Sequence, residues 1–93
     1  MKAVSRTDHP HIERRLRVCG GEPVLRGTRF PVRSVVVYVY RHGMTPEEVA
    51  GEWKHLSLAG IYDALSYYHD HKEQIDRLIR DNRESLARKK AIG

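Results

Sequence analysis

The chain has 93 residues, 40% of them hydrophobic and 31% charged, with a formal net charge of +5. A single domain of this size buries about 60–65% of its unfolded surface, a thin core that leaves little scaffold for a closed catalytic pocket. One cysteine, Cys19, excludes an internal disulfide framework and a C-x-x-C metal knuckle; no apolar run approaches the ~20 residues of a membrane span.

Residues 1–10 are polar, lack the apolar centre of a secretory signal, and read as a flexible N-terminus. With the lone thiol, this places the protein in a reducing cytoplasm. Residues 11–31 read as a small β element. Ile12, Leu16 and Val18 alternate with Arg and Glu, and Cys19-Gly20-Gly21-Glu22-Pro23 is dense in turn formers. Val24-Leu25 and Arg29-Phe30 flank Arg26-Gly27-Thr28, the pattern of a tight turn.

In residues 32–42 the local signals conflict. Val35-Val36-Val37-Tyr38-Val39-Tyr40 favours strand. Pro31 before the run and Arg41, His42 and Gly43 at its end favour helix. Propensity alone predicts a strand. Thr45-Pro46-Glu47-Glu48 then makes a capping box with proline at the first helical position, predicting a short helix over about 46–54. Ser57 is the next N-cap. Ile61, Ala64, Leu65 and Tyr68 follow at helical spacing, and Ile75, Leu78, Ile79 and Leu86 continue the stripe after a break near His69–His71.

A short helix, a brief turn and a second, Ser-capped helix form a helix-turn-helix pattern. With residues 32–42 as a preceding helix, Val36, Val39, Val49, Trp53, Leu56, Ile61 and Leu65 form a three-helix core. An αα-hairpin without a nucleic-acid role gives the same pattern. Net positive charge asks for an anionic partner, and its distribution refines that demand. Residues 1–44 carry +6, residues 45–76 carry −5 and residues 77–93 carry +4. A recognition helix offers Arg, Lys, Asn or Gln to base edges. Residues 57–70 contain none of these, so phosphate contacts are expected from the arginine-rich flanks.

The run Val18-Cys19-Gly20-Gly21-Glu22-Pro23-Val24-Leu25-Arg26-Gly27-Thr28-Arg29-Phe30-Pro31-Val32 resembles the signature of domain-of-unknown-function family four-three-three. Gly43-Met44-Thr45-Pro46-Glu47-Glu48-Val49 and the stretch from Leu56 to Tyr68 resemble it too, so the likeness covers residues 11–76. The resemblance implies a homeodomain-like three-helix core behind a small β element, and it turns residues 32–42 from strand to helix. It also implies the antitoxin of a bacterial type II toxin–antitoxin pair, which binds a PIN-like ribonuclease toxin and its own operator DNA. Fold transfers across such a likeness better than function does.

The expected architecture is therefore mainly α. A helix-turn-helix core spans 32–71, behind the β element of 11–31, with a C-terminal helix and tail over 72–93. Arg26, Thr28, Arg29, Arg33, Ser57 and Tyr62 are the expected DNA-binding residues. Ile75, Leu78, Ile79 and Leu86 are expected to meet a partner, either the toxin or a second copy; packing on the chain's own core is the other use of that stripe. The six histidines are expected at the surface. His9/His11 and His69/His71 are spaced i, i+2, which on a helix does not share a face, and no cluster completes a zinc set. No enzyme, metal or cofactor is expected. The alternatives are a protein-interaction adaptor with a degenerate helix-turn-helix, and a ribbon-helix-helix repressor in which Val35–Tyr40 is a paired strand.

Overall fold

A computed structural model describes the backbone of residues 4–92 and the side chains of residues 4–82. Three short strands, β1 (Val4–Arg6), β2 (Ile12–Arg15) and β3 (Pro23–Leu25), form an antiparallel sheet in the order β1-β2-β3. Val4 pairs with Arg15, and Ile12 with Leu25. β1 lies in the segment expected to be loose. The turn into β2 is organised by Thr7, whose Oγ1 accepts the His9 N–H (3.1 Å) and donates to the Ile12 carbonyl (2.8 Å). Between β2 and β3, Cys19, Gly20 and Gly21 form a tight turn in which all three φ values are positive. After β3 the signature turn closes on itself: Leu25 N–H donates to Phe30 O (2.9 Å), and Thr28 Oγ1 donates to Leu25 O (2.8 Å).

Four α-helices follow among the described residues: α1 (Val32–Val36), α2 (Pro46–Glu52), α3 (Leu58–Asp70) and α4 (Lys72–Ile92). α1 runs on as a π turn over Val37–Arg41, closed by His42 N–H to Val37 O at 3.0 Å. The valine-rich run is thus helical, which overturns both the strand expected from propensity and the ribbon-helix-helix alternative. Burial decides it. Val32, Val35 and Val36 sit at helical spacing and are all buried, so one face of a helix enters the core where a strand would have split them between two faces. Gly43 ends the segment with φ +74°, a conformation costly for residues with a Cβ.

The remaining helix ends follow from their caps. Thr45 Oγ1 accepts the Glu48 N–H (3.1 Å), and Glu48 Oε1 accepts the Thr45 N–H (2.9 Å), completing the capping box. Ser57 Oγ accepts the Gly60 N–H at 2.9 Å and starts α3. α3 and α4 are separated at His71, whose N–H still donates to Tyr67 O and Tyr68 O.

The core joins Ile12 and Leu25 of the sheet to Val32, Val35, Val49, Leu56, Ile61, Leu65, Ile75 and Ile79 of the helices. Of the core expected from sequence, Val36, Val49, Leu56, Ile61 and Leu65 are buried, while Val39 and Trp53 are half-buried. Trp53 instead joins an aromatic group with Phe30 and Tyr38, at ring distances of 5.3 and 4.6 Å.

Candidate functional site

Among the described residues, three of the places that gather polar or charged groups bear on function. The first is a small cleft at the N-terminus of α3, lined by His11, Arg26, Thr28, His55 and Ser57. The signature turn is brought here because Leu25 packs against Gly60. A Cβ at Gly60 would stand 3.3 Å from Leu25 Cδ2 and 2.9 Å from Ser57 Oγ. Three of the expected DNA-binding residues, Arg26, Thr28 and Ser57, therefore meet. Arg26 and Arg29 are exposed. Thr28 and Ser57 act through structure, since their hydroxyls shape the turn and cap the helix. The unpaired N–H groups of the first helical turn and the Arg26 guanidinium together favour an anion.

Arg33 and Tyr62 are elsewhere and engaged. Arg33 Nε lies 2.9 and 3.2 Å from the two oxygens of Glu22. Burial pushes the Glu22 carboxyl above its ordinary pKa, against the opposing influence of Arg33. Tyr62 Oη donates to Glu47 Oε2 at 2.9 Å, a bond that raises the pKa of that hydroxyl. A tyrosine paired to a carboxylate presents negative charge, so Tyr62 is badly placed for phosphate.

The second place is a groove of about 530 Å³ between α1 with its π turn and α4, lined by Arg33, Tyr38, Arg41, His42, Ile79 and Asn82 among others. The expected partner stripe borders it but is mostly spent on the core. Ile75 is 0% and Ile79 3% exposed, and Leu78 is half-buried against the same cluster. That corrects the expectation that Ile75 and Ile79 meet a partner: α4 needs them to dock on α1 and α3. The side chain of Leu86 lies outside the described residues.

The third place was missed in the sequence. His9, expected at the surface, is 8% exposed. Its Nδ1 lies 2.8 Å from Asp63 Oδ1 and its Nε2 2.7 Å from Asp70 Oδ2. Asp63 Oδ2 also accepts the His11 N–H at 2.8 Å. Tyr67 meets His9 edge-on at 5.2 Å and stacks on His71 at 4.2 Å. A usable signal did exist: Asp63, Tyr67, Asp70 and His71 are spaced to share one face at the end of α3.

The family model described as "Protein of unknown function (DUF433)" matches residues 12–68, well over half of the chain. The chain belongs to the DUF433 family. A crystal structure of a DUF433 member protein from Anabaena variabilis, determined at 2.00 Å resolution, is 34% identical to it. The likeness covers 75% of this DUF433 chain and 68% of that one, with a TM-score of 0.70. No curated protein matches. The family match ends at Tyr68, so Asp63 falls within it and Asp70, His71 and α4 fall beyond it.

Proposed function

We propose that this DUF433 chain is a non-enzymatic binding module of the antitoxin type, which holds a PIN-like ribonuclease partner and contacts operator DNA. In this reading α2, the turn at Trp53–Ser57 and α3 serve as a helix-turn-helix within a homeodomain-like core, working as a dimer or heteromer in the cytoplasm. The supporting observation is the placement of Arg26 beside the N-terminus of α3, where its guanidinium and the first-turn N–H groups can grip phosphate, with Arg29 exposed on the same turn. Glu47, Glu48 and Glu52 lie on α2, so that helix is unsuited to meeting phosphate.

For the protein partner, Arg41 brings positive charge to the groove beside α4, where Arg33 is already paired with Glu22, and this suits an acidic segment. Beyond Asn82, α4 carries Arg83, Arg88, Lys89 and Lys90 by sequence, a second cationic stretch.

The adaptor reading, without DNA, is favoured by one observation: α3 offers no long amide or cationic side chain to base edges. One experiment separates the two. The protein and its Arg26→Glu/Arg29→Glu variant are tested for duplex binding by anisotropy across salt concentrations. Both are also tested for inhibition of a PIN-like ribonuclease. Salt-dependent DNA binding lost in the variant, with inhibition retained, supports the full reading. Inhibition without any DNA binding leaves the adaptor, and loss of both activities in the native protein overturns the proposal.

A further inference from the structure

The turn between β1 and β2 meets the C-terminal end of α3 at a cluster of nitrogen and oxygen donors that the binding reading does not use. His9 is held by Asp63 through Nδ1, which leaves Nε2 facing outward. Around that nitrogen stand Asp70 Oδ2 at 2.7 Å and Asp8 Oδ1 at 4.0 Å. His71 Nε2 lies 3.7 Å from the same Asp8 oxygen. One donor atom from each of Asp8, His9 and His71 falls within 4.8 Å of the others. His71 Nε2 is shut off from solvent and, among the described residues, makes no hydrogen bond. A buried ring nitrogen without a partner is costly unless something else satisfies it.

We propose that Asp8, His9 and His71 bind a divalent transition metal of the zinc type, with the exposed Asp70 carboxylate swinging in from its contact with His9 as the fourth ligand. Two imidazole nitrogens and two carboxylate oxygens suit tetrahedral zinc, which takes such mixed sets without geometric preference of its own. With metal–ligand bonds of about 2.0–2.2 Å, tetrahedral donors stand about 3.3–3.5 Å apart. The 3.7 and 4.0 Å separations contract slightly, and the 2.7 Å contact opens as the metal replaces the proton between His9 and Asp70. Asp63 is the positioning residue. It accepts from His9 Nδ1, the carboxylate–histidine–metal relay that fixes which nitrogen faces the ion. Its second oxygen is fixed by the His11 N–H, so the carboxylate cannot swing away.

The side chains of Asp8 and Asp70 are 69% and 58% exposed, so the site opens to solvent on their side. Bound metal would staple the first turn of the sheet to the end of α3, joining segments about sixty residues apart. The sequence hides such a set because its two halves, Asp8-His9 and Asp70-His71, are each an ordinary dipeptide.

The test uses the full chain without a histidine tag, stripped with a chelator and dialysed. Zn2+ is titrated by calorimetry, and Co2+ by its visible absorption, which is intense for tetrahedral coordination. The expected result is one ion per chain, tetrahedral Co2+ bands, and a Tm that rises with Zn2+. His71→Ala and Asp8→Asn, with circular dichroism showing a retained fold, weaken binding at least tenfold. Asp63→Asn weakens it by about 10–100-fold while touching no metal. Arg26→Glu leaves it unchanged. The proposal is overturned if millimolar Zn2+ does not bind, or if His71→Ala and Asp8→Asn bind with native affinity.

Discussion

Both nitrogens of the His9 ring face carboxylate oxygens, an arrangement that favours the imidazolium form bridging Asp63 and Asp70 in the metal-free protein. Burial is the largest influence on its pKa and pulls it down. The bonds to Asp63 and Asp70, with the charges of Asp63 and Asp8, outweigh burial and raise it above 6.5. A cation whose pKa is higher folded than unfolded contributes stability that is complete below the unfolded value, and that contribution is lost as pH rises through the folded value. With a chelator present, Tm should therefore fall as pH climbs above about 6.5. The fall should be absent in His9→Asn, as read by thermal melts across pH. His9→Ala strands Asp63 and should cost about 3 kcal/mol below that pH, measured by urea unfolding. The polar face of α3 was legible in its spacing, but the place of His9 in it was not, because its partners are 54 and 61 positions away. Gly60 is a second residue whose role is tertiary. Gly60→Ala drives a methyl into the Ser57 cap and Leu25, and should cost about 1–2 kcal/mol in urea. Ser57→Ala should cost about 1 kcal/mol, and the double variant less than the sum, because both act on the same cap.

Among the elements, those with polar end signals were readable and those governed by packing were not. The capping box of α2 is written in Thr45-Pro46-Glu47-Glu48, and the side chains bond as those residue types dictate. Thr45→Ala should lower stability by about 1 kcal/mol. Glu48→Ala should cost less, since the hydroxyl cap survives; chemical denaturation of both variants checks the order. The valine run shows the opposite case. Its β propensity amounts to about 1 kcal/mol per residue at most and depends on context. Burial of Val32, Val35 and Val36 against α3 and α4 outweighs it. Pro31 and Gly43 bound the helix as their residue types suggest, but no residue type announced the π turn. α4 is intermediate. Its apolar stripe was evident, whereas its use was open until Ile75 and Ile79 proved to be core.

At the scale of the molecule, the fold pairs off part of the acidic charge and leaves the signature-turn arginines exposed. The +5 of the whole chain is composed of a basic N-terminal half, an acidic stretch from 45 to 76, and a basic end. Arg26 and Arg29 are exposed, whereas carboxylates of the acidic stretch are engaged within the fold: Glu47 accepts from Tyr62, and Asp63 and Asp70 contact His9. Duplex binding, if it runs through the signature turn, must then be dominated by phosphate contacts. Each neutralised phosphate contributes about 0.9 to the slope of log K against log salt. Arg26→Gln/Arg29→Gln removes two such contacts without adding negative charge. The slope should become shallower by about 1.8, and the loss should be nearly equal for unrelated duplex sequences. Anisotropy titrations at several salt concentrations measure both quantities. Weakened binding with an unchanged slope would mean that the arginines act by shaping the turn, and the phosphate assignment would fail even though the residues matter.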